Sequence, residues 1–287
     1  MAVLIEAKKE LKFNLELVQL VEVLKEIAAN QFQAQLRKKE RFERFLASFQ
    51  GFFKMVDLVT KEHPLVCSLS ETTGVVMVTS DEGFMGGLNT VVIETALNQV
   101  KEKPHELIVI GSRGADYLND AGKKHVSFPG VISENRYEQA VQLKNFLVEN
   151  VLKKKFGDVL LVYPRPISFT VLKPEVVFLL PCAQLFQRGN EELLSSKQKV
   201  ILESSIPDIA EYLVEMWLIY KLCEIFEDSK LAELAARAQH LEQSYDTLSQ
   251  KGKVLRYRYF RSRREFVDKG MRETFASALL RRRTGGS

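Results

Sequence analysis

The sequence predicts an α/β protein in which two long helices, one at each end, pair as an antiparallel coiled coil flanking a compact middle domain. Three observations predict it. All eight prolines fall between Pro64 and Pro207, so the first 63 residues and the last 80 hold none. The first arm has a single glycine, Gly51, and the last has only Gly252, Gly270 and the Gly285–Gly286 tail. Proline breaks helix interiors and glycine weakens them. Both arms also carry apolar residues at steps of three and four, and the middle alternates short β-branched runs with helical stretches. The boundaries that follow are 1–63 for the N-terminal helix, 64–204 for the α/β domain and 205–287 for the C-terminal helix.

In the first arm the stripe runs through Leu11, Leu15, Val18, Leu24, Ala28 and Phe32. It continues through Phe42, Phe45, Leu46, Phe49, Phe53 and Val56, with Lys38, Lys39, Glu40, Arg41, Glu43 and Arg44 mostly off it. A seam this narrow suits a coiled coil. About 55 residues at 1.5 Å each make a helix of about 80 Å, too long to fold back within a small globule. The last arm starts near Ser205–Asp208, where Ser204, Ser205 or Asp208 would cap it. Its stripe runs through Ile209, Leu213, Met216, Trp217, Tyr220, Cys223 and Phe226, then Leu231, Leu234, Ala238, Leu241, Tyr245 and Leu248. The C-terminal helix is the longer partner, and its far end should lie near the start of the first arm.

The middle contains strands at Gly74–Thr79, Glu106–Ile110, Asp158–Tyr163 and Val176–Leu180, with Val126–Phe128 preceding the third helix. Helices fit Leu88–Val100, a short stretch ending at Ala121, and Ser133–Lys155. Strands alternating with helices imply βαβ units and a largely parallel, Rossmann-like sheet.

Composition narrows the function. The chain has 287 residues, 46% hydrophobic and 27% charged, the balance of an ordinary globular protein. No apolar run approaches the roughly 20 residues of a membrane span, and the charged, periodic N-terminus does not read as a signal peptide. Cys67, Cys182 and Cys223 stand far apart, which fits a reducing compartment better than a disulfide framework. The net charge of +4 hides an asymmetry: twelve Lys and Arg against three Asp and Glu follow from Lys251 onward. The rest of the chain is therefore net acidic, and the basic charge belongs to one element.

Two segments stand where α/β folds cradle phosphate. Ser80–Asn89, reading Ser-Asp-Glu-Gly-Phe-Met-Gly-Gly-Leu-Asn, follows the first strand and opens a helix; Gly111–Gly114 follows the second. Neither has a Gly-Lys-Ser/Thr ending or Gly-x-Gly-x-x-Gly spacing. The plainer reading makes Ser80, Asp81, Gly83, Gly86, Gly87, Asn89, Gly111 and Gly114 structural turn residues. His63, His105, His125 and His240 are scattered, and no Gly-x-Ser-x-Gly elbow occurs, so no catalytic residue, metal site or cofactor is expected. The run Lys251–Arg264 holds seven cations and three aromatics, Tyr257, Tyr259 and Phe260. It fits a nucleic-acid-binding helix, a solvated face, or a cationic shaft inside a protein collar.

Together these segments resemble the gamma subunit of F-type ATP synthases over nearly the whole chain. Ser80–Asn89 is similar to the family's Ser-Asp-x-Gly-Leu-Cys-Gly-x-Leu-Asn, and Gly111–Gly114 to its Gly-x-Lys/Arg-Gly turn. Ile27–Ala29 resembles Val-Ala-Ala of the first helix, Leu179–Pro181 the Leu-Leu-Pro before the last one. Leu231–Arg237 and Tyr259–Arg263 resemble Ser-Glu…Arg-Met and Tyr-Asn-x-x-Arg. The resemblance implies a central rotor stalk that is not an enzyme alone. Its partners would be three alpha and three beta subunits, an epsilon subunit and a membrane ring of c subunits, with no direct nucleotide binding and no nucleic acid. It implies a peripheral place on the cytoplasmic side of the inner membrane. Leu24, Ile27, Arg256, Tyr259, Arg263, Val267 and Asp268 would then meet the alpha and beta ring. The chain departs from the family where Asp268 and Gly270 replace a Thr and a Glu, and Glu16–Val18 and Val21–Glu22 replace a Lys-Asn-Thr…Thr-Lys pattern. Such divergence resembles alternative F-type ATPases, whose coupling ion is often sodium.

Overall fold

The computed structural model describes residues 2–55, 64–65, 67–182 and 206–284, and within the long helices the side chains of 3–37 and 211–278. The continuation of the first stripe from Phe42 to Val56, the cap at Ser204, Ser205 or Asp208, Ile209, and the Gly285–Ser287 tail lie outside these. Two helices frame the chain, α1 (Ala2–Met55) and α5 (Ile206–Thr284). Two compact units divide it, one of residues 28–237 and one of residues 1–27 with 238–287.

The larger unit is a five-stranded sheet with helices on both faces. Its elements are β1 (Thr73–Val78), α2 (Leu88–Gln99), β2 (His105–Ile110), α3 (Ser112–Asp120), β3 (His125–Phe128), α4 (Arg136–Leu152), β4 (Asp158–Pro166) and β5 (Leu172–Leu180). The strand order is β3-β2-β1-β4-β5, parallel except for β5. The antiparallel β5 follows from its connection. Residues 167–171 form a hairpin closed by Ile167 N–H donating to the Val171 carbonyl at 2.9 Å, too short for the crossover a parallel strand needs.

All six residues of β1 are buried, as expected of a central strand covered on both faces. Val76, Val78, Ile108, Ile110 and Leu161 point to one side, against Leu143 and Leu147 of α4 and Leu218 and Leu222 of α5. Their neighbours Val75, Met77, Leu107, Val109 and Leu160 point to the other, against Val92, Ile93 and Ala96 of α2 and Leu118 of α3. This is the period-2 alternation of a strand read on two cores at once. The expected α5 stripe is met at Cys223 and Phe226, which are buried in the core, and lies one residue off nearer the helix start. Val214, Leu218, Leu222 and Ile225 are fully buried, whereas Leu213, Met216 and Tyr220 are only half-buried. A helix that shares one core with α4 and the sheet buries a wide face, and a narrow stripe drawn through Leu213, Met216 and Tyr220 follows only its flank.

The smaller unit is an antiparallel two-helix coil. On α1 the covered positions are Leu4, Ala7, Leu11, Asn14, Val18, Val21 and Lys25; on α5 they are Ala238, Leu241, Tyr245, Leu248, Gly252, Leu255, Tyr259 and Ser262. Both series step by three and four without a break, the heptad signature of a left-handed coil. Cross-links fix the direction: Lys25 Nζ lies 2.9 Å from Glu242 Oε2, and Arg258 Nη1 lies 3.2 Å from Glu10 Oε2. The expected stripe is corrected at Leu15, which is 43% exposed, while Asn14 is buried. Asn14 fits the seam because it faces Gly252, where an added Cβ would stand 2.7 Å from the Asn14 Oδ1.

Candidate functional site: the strand-end loops and the exposed helix

In an open parallel sheet, ligands bind at the carboxyl edge where the strand order reverses. Here that point lies between β1 and β4, and the β1–α2 loop, residues 79–87, leaves from it. Its groups are used internally. Ser80 N–H donates to Asn89 Oδ1 at 3.3 Å, Asn89 Nδ2 donates to Ser80 Oγ at 2.9 Å, and Ser80 Oγ donates to the Glu82 carbonyl at 3.1 Å. The Asp81 carboxylate accepts Ser112 N–H at 2.7 Å and Gly130 N–H at 3.0 Å. Arg113 N–H donates to the Ser80 carbonyl at 3.1 Å. The first two N–H groups of α3, the place a phosphate would take, are thus held by an aspartate and a carbonyl of the chain itself.

The glycines of these turns are unequal. Gly111 has φ 103°, and a Cβ there would stand 2.6 Å from the Thr79 carbonyl oxygen. A side chain at Gly114 would collide with Thr79 and Val109. Gly86 sits at φ 58°, in the left-handed region, whereas Gly83 and Gly87 have room for a side chain and ordinary backbone. Thr79 and Gly130 went unnoticed in the sequence. Thr79 Oγ1 donates to the Ile110 carbonyl at 2.7 Å, and a Cβ on Gly130 would meet the Asp81 carboxylate at 2.5 Å. Their roles depend on contacts between distant segments, which no local motif announces.

The loop is also tied to α5. Glu82 ion-pairs with Arg237, and one turn earlier the buried Glu233 pairs with Lys230 at 3.0 Å. Burial pushes the Glu233 carboxyl up to about 7 although Lys230 and Arg237 pull it down. Burial likewise pushes the Cys223 thiol up to about 11 and the Cys182 thiol higher still, so neither is a ready thiolate. Among the described residues no cluster of His, Cys, Asp and Glu could hold a metal ion, and no helix is long and apolar enough to cross a membrane.

The coil unit supplies the other candidate. Leu24 is half-buried beside the seam, Ile27 is exposed, and Tyr259 lies in the seam. Arg256, Arg263, Val267 and Asp268 are all exposed. From Arg263 to Ala278 every side chain is exposed. Arg256, Phe260, Arg263, Val267, Met271 and Phe275 recur at steps of three and four, so they share one face that starts with cations among apolar groups and ends wholly apolar. Phe275 is 72% exposed. On α1, Phe13, Leu20 and Ile27 form a second exposed row at seven-residue spacing. Phe13, Leu20, Met271 and Phe275 were not among the sequence candidates; a second apolar position per heptad is the signal that marks them.

A family model described as ATP synthase matches residues 4–278. The chain is 21% identical to the ATP synthase gamma chain of Ruminococcus albus over 97% of this chain and 99% of that one. It is 27% identical to the gamma chain of Pelotomaculum thermopropionicum, over 61% of this chain and 62% of that one. The match to the gamma chain of Desulforudis audaxviator, 24% identical over 58% of this chain, likewise spans 60% of the relative's length. Among solved structures, a chain of the Euglena gracilis mitochondrial ATP synthase, OSCP/F1/c-ring, superposes with a TM-score of 0.72. It is 14% identical and covers 100% of this chain and 97% of that one. A chain of the Tetrahymena thermophila mitochondrial ATP synthase, central stalk/cring, gives 0.63 at 18% identity, covering 78% and 99%. At those identities the structural likeness shows the fold.

Proposed function

Because the chain belongs to the ATP synthase family, with relatives that are gamma chains, we propose that it works as a central rotor stalk. In this reading it couples ion flow through a membrane ring to ATP synthesis or hydrolysis at subunits that hold the nucleotides. The observation that carries the reading is the bare end of α5. A helix face with Phe260, Val267, Met271 and Phe275 exposed among arginines is incomplete in water and calls for a collar. A ring of three alpha and three beta subunits would supply it, touched by Ile27, Arg256, Arg263, Val267 and Asp268. Leu24 and Tyr259 would shape the surface from beside and within the seam.

The mechanism needs only unequal contacts. An asymmetric shaft meets each beta subunit differently and so biases each toward a different conformational state; rotation moves the bias around the ring. The α/β unit would dock the epsilon subunit and the ring of c subunits, placing the chain peripherally on the cytoplasmic face of the membrane. The coupling ion, proton or sodium, would be chosen by those other subunits. Arg263→Ala in the assembled complex should lower coupled ATP turnover while leaving the fold intact; unchanged turnover would refute the contact. Co-purification of alpha and beta at three to one with this chain tests the assembly. Salt-sensitive binding of duplex DNA or RNA, with no such co-purification, would favour the nucleic-acid reading of Lys251–Arg264 instead.

A further inference from the structure

Glu233 lies on a stretch of α5 that is buried almost all round, with only 3% of its surface exposed. Among the described residues the charged groups that face it are Lys230 and Arg237 from α5 and Glu82 from the β1–α2 loop. Lys230 touches it directly at 3.0 Å; Arg237, one turn on, reaches out to Glu82 instead. Four charges therefore share a small space, and one guanidinium is the common neighbour of two carboxylates. The rotor reading gives this arrangement no task.

We propose that Glu82, Arg237, Glu233 and Lys230 form a proton-responsive clamp that holds the β1–α2 loop against α5 when Glu233 is protonated and loosens when it ionises. The direction follows from reciprocity. Docked Glu82 makes Glu233 harder to ionise, so ionised Glu233 must weaken the docking of Glu82 by the same free energy. An ionised Glu233 also draws Arg237 toward itself and away from its outer partner. The range is set by burial, which pushes the carboxyl from its ordinary value of 4.5 up to about 7. A raised carboxyl means that the folded form binds the proton more tightly than the unfolded form. Its contribution is therefore fully favourable below about pH 4.5 and is lost as pH rises through about 7. The clamp is tight on the acid side of neutrality and loose on the alkaline side.

Hydrogen exchange in the full-length chain tests this without any partner subunit, so its failure leaves the rotor reading untouched. The amides of Ser80, Ser112 and Arg113, whose hydrogen bonds hold the loop, corrected for the intrinsic pH dependence of exchange, should open about threefold more at about pH 8 than at about pH 6. Glu233→Gln should flatten that dependence at the protected level, and Glu82→Gln should flatten it at the open level. Carbon-13 NMR of labelled glutamate should find one carboxyl titrating near neutrality, missing in Glu233→Gln. A Glu233→Gln chain that keeps the wild-type pH dependence would overturn the proposal. So would a Glu233 carboxyl titrating at its ordinary value.

Discussion

The α/β unit and the coil unit are built from similar side chains but spend them differently. In the α/β unit the sheet is covered on both faces, so β1 buries every residue and α5 is enclosed from Ile225 to Ala236 apart from the half-buried Lys230. Where the coil unit's helices pair, each covers about three residues in seven, and large apolar groups such as Phe13, Phe260 and Phe275 stay in water. Burying apolar surface stabilises by roughly 25 cal/mol per Å², so the two units hold different reserves. The first has the core of a self-sufficient domain. The second leaves its apolar surface exposed, as the proposed contact with partner subunits requires.

Substitutions can break or sharpen this contrast, and the core should respond most. Phe226→Ala should cost about 3–5 kcal/mol in chemical denaturation, and Leu255→Ala in the seam only about 2 kcal/mol; equal losses would erase the distinction. Next comes Gly111→Ala, which forces a side chain onto φ 103° beside the Thr79 carbonyl and should cost about 2 kcal/mol or more. A thermal midpoint equal to the wild type would show that the turn can relax. In the seam, the double change Asn14→Ala with Gly252→Ala removes a buried polar group and a helix-weakening glycine together. It should stabilise the chain by about 1 kcal/mol, and a loss would mean that the Asn14–Gly252 contact sets the register. Smallest of all, Met271→Ala and Phe275→Ala should move the unfolding midpoint by no more than about 0.5 kcal/mol. Assembly with partner subunits, measured by co-purification, should nevertheless fall; a large stability loss would mean that this face packs within the chain.

Much of the fold could be read from residues alone. Proline's absence from both ends marks the long helices, and the β-branched runs mark the strands to within a few residues. The antiparallel sense of β5 was less legible because it depends on a five-residue connection between two strands that look alike in sequence. The seam was misread at Leu15 because a hydrophobicity rule prefers leucine to Asn14, and only the opposing Gly252 makes room for an amide. On α5 the same rule chose Leu213 and Tyr220 over Val214 and Leu218, since a helix buried broadly has no sharp stripe. Ser80, Asp81 and Gly111 stood out by position after strands, but Thr79, Gly130 and Glu233 did not. Their meaning comes from partners dozens of residues or more away.

Asp81 carries a consequence beyond its hydrogen bonds. By sealing the head of α3 with its own carboxylate, the chain gives up the anion slot that other folds of this shape keep open. Were the chain to turn as the rotor stalk proposed above, the first two N–H groups of this helix would be closed to a nucleotide phosphate, and nucleotide would act on the shaft through the subunits around it.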